Sequence, residues 1–478
     1  MRRGWIHRRD AAGGRGVSPG RAHSRAPWIL PLLGRLHFYA GILVGPFILI
    51  AAVSGGLYAI SPQIERVVYA DVLRVPEADN TLSLADQISV ALGEVGDDAV
   101  LSAVRPAPSN GDTTRVMFQE PGLGASESRA IFVDPGTGAV TGDLTVYGTS
   151  GALPVRTWID YLHRNLHLGE AGRWYSELAA SWLGIVALAG AALWIARIRT
   201  ARQPKDMLRP NPRHRGYRRL FGWHASLGVW VVLGAVFLSA TGITWSQAAG
   251  QNVSALRAAL SWETPAVVTA LGDVEEPESA DPHAGHGAAA APAPDSATAN
   301  PATFDGVWAI AKRENVSTGL VEIRPPAAEG EAWVVQEIQR SYPTEVDTVA
   351  IDGRTMTVAD TVDFADYPLM AKLARWGVDL HMGTMFGLAN QIALLALAST
   401  LAAMVVLGYA MWWRRRPTRG FAAPPPRGAV RDAPWWGVAA VAAVAVGVGV
   451  FLPLVGWTLL AFVAVDVARG LLSRRPAP

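Results

Sequence analysis

Residues 37–55 read HFYAGILVGPFILIAAVSG, and residues 224–242 read HASLGVWVVLGAVFLSATG. Neither stretch carries a charged residue, and each is long enough to form most of a helix that crosses a bilayer. The two share their punctuation: His37, Gly41, Ser54 and Gly55 in the first stand at the same offsets as His224, Gly228, Thr241 and Gly242 in the second. A repeated apolar span with a repeated polar residue predicts an internally duplicated, polytopic α-helical membrane protein.

The rest of the chain agrees. Half of its 478 residues are hydrophobic and only 17% are charged. Further charge-poor runs raise the expected number of spans to about six, at 33–60, 178–197, 221–246 and 385–413, with a short C-terminal pair within 434–468 divided by Pro453. The segments 1–36, 197–219, 414–432 and 466–478 hold 26 of the 42 basic residues but only 4 of the 40 acidic ones. The positive-inside rule puts these on the cytoplasmic side of the membrane, with both termini inside. They comprise an Arg/Gly-rich tail (1–32), a basic loop (198–220), a second loop (414–433) and a C-terminal tail (469–478). The tail at 1–32 reads as an orientation anchor rather than a cleaved signal, because the apolar run after it is too long.

Two long stretches, 61–177 and 247–384, then face the periplasm. Each is predicted to contain a small α+β domain: a helix over 84–95 with strands near 100–104, 115–119 and 130–134, and a helix over 304–314 with strands near 320–324, 332–336 and 348–352. An Ala/Pro-rich linker occupies 275–301. Zero cysteine excludes disulfides, thiolate metal sites, iron–sulfur clusters, covalent c-type haem and cysteine nucleophiles. No dinucleotide fingerprint or phosphate loop is present, and nothing points to a nucleic-acid partner.

The histidines carry the chemistry. Leu166-His167-Leu168-Gly169 aligns with Leu380-His381-Met382-Gly383, and each leads to a Gly–x3–Trp ending, Gly190 to Trp194 and Gly408 to Trp412. The His-to-Trp spacing is 27 in the first and 31 in the second, a difference close to one helical turn. His37 with His224 near the inner ends, and His167 with His381 near the outer ends, match what six-coordinate haem needs: two neutral imidazoles on opposite faces of one macrocycle. Gly41, Gly45, Gly228 and Gly234 are candidates to make room for the inner ring. A single histidine in such a place more often just bonds a backbone carbonyl, but four at matched positions favour ligation. His163, one turn before His167, is an alternative outer ligand, a hydrogen-bond donor behind the ligand, or a solvated interfacial residue. His283 and His286 in the linker read as unstructured, and His7, His23 and His214 as ordinary members of basic segments. Arg164 and Arg173 lie near the outer histidines, where they could attract an anion or simply solvate helix ends.

These paired spans, the two Leu-His-x-Gly elements and the two loop domains resemble the PepSY-associated transmembrane family, over roughly Leu33 to Arg416. The family includes haem-containing ferric-siderophore reductases, so the resemblance implies two b-type haems held by transmembrane histidines. It also implies electron delivery to a ferric chelate or siderophore in the periplasm. A separate donor, a cytoplasmic reductase or quinol, is then required, since the cytoplasmic loops are too short for a flavin or nicotinamide domain. The competing expectation is non-enzymatic: membrane-anchored PepSY modules that bind or regulate periplasmic proteins or peptidases.

Overall fold

The computed structural model describes residues 28–96, 99–201, 203–272, 299–415 and 433–472. The tail before residue 28, most of the linker and of the 414–433 loop, and with them His7, His23, His283 and His286, lie outside the described residues. The first copy runs α1 (Ile29–Leu43), α2 (Gly45–Val68), α3 (Ala70–Leu73), α4 (Leu84–Glu94), β1 (Val100–Arg105), β2 (Thr114–Gln119), β3 (Glu127–Val133), β4 (Val140–Tyr147), α5 (Pro154–Asn165) and α6 (Gly169–Ile198). After α7 (Lys205–Leu208), the second copy runs α8 (Gly216–Thr244), α9 (Ala248–Ala259), α10 (Pro301–Glu314), β5 (Val321–Arg324), β6 (Trp333–Glu337), β7 (Thr348–Asp352), β8 (Thr357–Val362), α11 (Leu369–His381) and α12 (Gly387–Arg414). A hairpin of α13 (Trp435–Phe451) and α14 (Pro453–Leu472) closes the chain.

Four helices, α2, α6, α8 and α12, are long and apolar enough to cross a membrane, at 24, 30, 29 and 28 residues. At ~1.5 Å per residue they reach about 36–45 Å, more than the ~30 Å hydrocarbon thickness. Their exposure pattern is the one expected in lipid. Val53, Leu188, Leu233 and Val406 are each more than half exposed, whereas Ala52, Ser54, Ala179, Ser226, Ala235, Ser239 and Ala398 are buried between helices. Small residues let α6 and α8 approach closely: Ser239 Oγ donates to the Ala180 carbonyl at 2.6 Å and accepts from Gly184 N at 3.1 Å.

The span expected at 33–60 is broken into α1 and α2 at Val44. Pro46 has no amide to donate back to the carbonyl of Ile42. Tyr409 of α12 supplies the missing donor: its hydroxyl bonds Ile42 O at 2.5 Å, and its ring packs where a side chain at Gly45 would stand.

The two α+β units form a single eight-stranded antiparallel sheet in the order β4-β3-β2-β1-β5-β6-β7-β8. The halves meet at β1 and β5, where Val104 pairs with Ile323. Each half has four strands rather than the three expected, because β4 and β8 are half-exposed and lack the continuous apolar run that marks a buried strand. Helices α4 and α10 share one core with the sheet, built around Ile88, Val104, Phe118, Phe304, Ile323 and Val335. Asp305 of α10 accepts from Leu84 N and Ala85 N at 2.9 and 3.0 Å, so a side chain of the second copy caps α4 of the first. Glu177, fully buried in α6, caps α9 in the same way through Ala248 N and Ala249 N.

Helices α13 and α14 are shorter than the four spans. They pack on α6, where Trp182 Nε1 donates to Thr458 Oγ1 at 2.9 Å. Their turn accepts from Asn252 of α9 on the sheet side, while Asp466 pairs with Arg35 at the opposite end. The close α6–α8 contact is testable. A Cβ at Gly184 would lie 2.6 Å from Ser239 Oγ, so Gly184→Leu is expected to cost about 1–3 kcal/mol by overpacking, read as an earlier thermal unfolding midpoint in detergent.

Candidate cofactor sites in the helical bundle

The inner pair assembles as the duplication predicts. His37 on α1 and His224 on α8 stand with ring centroids 6.1 Å apart and planes at 73°. His37 Nδ1 lies 3.0 Å from the carbonyl of Val186 on α6, and His224 Nδ1 lies 3.1 Å from that of Met404 on α12. A carbonyl can only accept, so each Nδ1 carries the proton and each Nε2 keeps its lone pair. Of the four glycines expected to make room here, only Gly41 faces open space; Gly45, Gly228 and Gly234 lie against Tyr409, Met404 and Leu397. The glycine that does meet a ring is Gly190, where a Cβ would fall 3.0 Å from His37 Cε1.

The outer pair is His163 with His381. His163 Nδ1 sits 3.0 Å from Ser54 Oγ, and His381 Nδ1 sits 2.6 Å from Thr241 Oγ1. Each hydroxyl gives its own proton to the carbonyl one turn back, Ser54 to Ile50 at 2.8 Å and Thr241 to Phe237 at 2.7 Å. Nδ1 is therefore the donor in both histidines, and the same nitrogen, Nε2, is left free in all four rings. The Ser-Gly and Thr-Gly pairs of the opening repeat thus have a use: in both the hydroxyl orients the imidazole, and in the first the glycine admits it. A Cβ at Gly55 would lie 2.9 Å from His163 Cε1, and one at Gly242 3.9 Å from His381 Cε1.

His167 is brought to neither pair. It follows the end of α5 in a left-handed conformation (φ 56°), is exposed, and packs 5.0 Å from the Trp158 ring. The alignment through Leu-His-x-Gly had slipped by one helical turn. His163 stands 31 residues before Trp194, as His381 stands 31 before Trp412, and Val186 and Met404 fall into the same register. That equality of spacing was the available signal, and α5 and α11 are the matching helices that carry the two residues.

His163 and His381 line a cavity walled by Gly55, Tyr58, Gly242 and Trp245 near the sheet. The cavity continues between the helices to Leu183 and Leu401. These lie three residues, about one turn, from Val186 and Met404, whose carbonyls hold the inner pair. Along α8 the two layers are 17 residues apart, from His224 to Thr241, or ~25 Å, and the part of α8 that lines the cavity begins at Leu238. Burial holds His163 down to about 4 and His381 down to about 3, the latter helped by His163 itself, so both rings are neutral near pH 7.

The mouth is rich in guanidinium groups. Arg156, 7% exposed, lies 3.6 Å from Glu65 and 3.5 Å from the Tyr58 hydroxyl. Arg164 donates to the Tyr147 hydroxyl at 2.7 Å and lines the cavity, and Arg340 reaches from the second half of the sheet to Thr149 and to Met382 Sδ. Burial and the neighbouring Arg375 hold Arg340 down to about 10. Arg173 lies further out, against the Trp245 carbonyl and Glu170.

A duplicated helical bundle with paired imidazoles at two depths, crowned by one sheet, defines a multi-helix membrane protein. The chain belongs to the family of the PepSY-associated TM region, whose model matches residues 34–415. No curated protein matches it.

Glu65 accepts from Leu153 N as well as facing Arg156. Arg156→Met should therefore leave a buried carboxylate uncompensated and cost ~3–5 kcal/mol. Adding Glu65→Gln should restore much of the loss, measured by thermal unfolding of the single and double variants.

Proposed function

We propose that this is a haem b oxidoreductase of the bacterial inner membrane that passes electrons to a periplasmic ferric chelate, such as a ferric siderophore. In this reading His37 and His224 ligate an inner haem and His163 and His381 an outer one. The observation that carries it is that four imidazoles, in two duplicated pairs, all keep Nε2 unprotonated behind a fixed Nδ1 hydrogen bond.

The residues present fit such a group. His37 and His224, with ring centres 6.1 Å apart, would hold the inner group between them. When bound, haem supplies a reversible one-electron couple at each layer. The chain's part is to hold the four rings neutral and oriented, through the carbonyls of Val186 and Met404 and the hydroxyls of Ser54 and Thr241. Apolar walls keep water from the space between the layers, and the guanidinium groups at the mouth favour an anionic chelate beside the outer site. Reducing equivalents come from a separate donor, a cytoplasmic reductase or a quinol, on the side of the basic loops. The topology proposed with this is six spans, counting the α13–α14 hairpin, with the sheet in the periplasm and both termini in the cytoplasm.

The test is optical. Protein purified in mild detergent from haem-supplied cells should show a reduced low-spin b-type spectrum and close to two haems per chain by pyridine haemochrome. His37→Ala or His224→Ala should remove one haem, and His163→Ala or His381→Ala the other, whereas His167→Ala should keep both. Ser54→Ala and Thr241→Ala should weaken retention of the outer haem by roughly 10–100-fold. A colourless, folded wild-type protein would sink the reading and turn attention to protein partners of the sheet.

A further inference from the structure

The second half of the sheet contains a cluster of negative charge with no cation beside it. Glu337 ends β6, Asp347 immediately precedes β7, and Glu345 lies in the connection between them. One carboxylate oxygen from each lies within 4.8 Å of the others. Glu337 is 1% exposed and Asp347 7%. Among the described residues, no lysine, arginine or histidine nitrogen comes within 4 Å of any of the three.

Hydrogen bonds account for part of this charge. Glu337 Oε1 accepts from Ser317 N and Thr318 N at 2.7 and 2.9 Å, and Asp347 accepts from Phe364 N and Asn315 Nδ2, both at 2.6 Å. Glu337 Oε2 is buried and has no partner. An ionised oxygen left this way is costly unless something positive meets it.

We propose that Glu337, Glu345 and Asp347 bind a divalent cation, calcium, at the base of the 338–346 loop. Calcium binds through several protein oxygens in flexible geometry, whereas magnesium keeps most of its waters and takes only one or two carboxylates. Three converging carboxylates favour the larger ion. The ion ties down a loop that reaches the outer histidine layer: Tyr342 N donates to Met385 O at 2.8 Å, and Arg340 contacts Met382, next to His381. The site is independent of any haem.

The experiment uses the full chain in detergent, stripped with chelator and titrated calorimetrically with calcium chloride, then magnesium chloride. Thermal unfolding is followed in parallel. One calcium per chain is expected, with a dissociation constant of about 10⁻³ M or tighter, a higher unfolding midpoint and weaker binding of magnesium. Glu345→Gln should weaken calcium binding at least tenfold. Asp347→Asn, which keeps the size of the side chain and removes its charge, should fold and also bind calcium at least tenfold more weakly. Wild-type protein that shows neither heat nor a shifted midpoint in ~10 mM calcium overturns the proposal, as does calcium binding undiminished in both variants.

Discussion

An imidazole carried into the interior of a helix bundle has two nitrogens to account for, and everything else in this molecule is arranged around how one of them is spent. In all four paired histidines Nδ1 is committed to an acceptor on a neighbouring helix. That acceptor fixes the tautomer, the ring plane and the spacing between helices together. It also accounts for the hydroxyl that precedes the glycine at the outer ends of α2 and α8, and at Gly55 the missing side chain leaves the ring its space. The sheet joins the two halves of the chain.

Much of this was legible in the sequence. The spans follow from apolar length, and the duplication follows from matched offsets between residues 37–55 and 224–242. Both sheet helices and six of the eight strands lie within a few residues of where apolar runs and turn signals place them. What escaped has physical reasons. The edge strands β4 and β8 are half-solvated and have no apolar signature. The joining of two domains into one sheet depends on β1 and β5, which are separated by more than two hundred residues and announce nothing about each other.

The two copies of Leu-His-x-Gly do not place their histidines alike. The element is shared by residues 166–169 and 380–383, but in the first copy it falls after the helix has ended, with Leu166 and His167 both left-handed. The residue that joins His381 in the cavity, His163, follows the spacing to a distant tryptophan, because a helix preserves residue count along its axis while a terminus does not.

The two halves have also ceased to be interchangeable. Pro46 strips the Ile42 carbonyl of its helical donor, and the hydroxyl that replaces it belongs to Tyr409 in the other half. The corresponding positions are Leu233 and Ala191, so neither partner of this contact has a twin. A chain assembled from two first halves would bury a carbonyl with no donor, and one assembled from two second halves would bury a phenol with no acceptor. The gene that began as a doubling is now, at this crossing, an obligate heterodimer written on one strand.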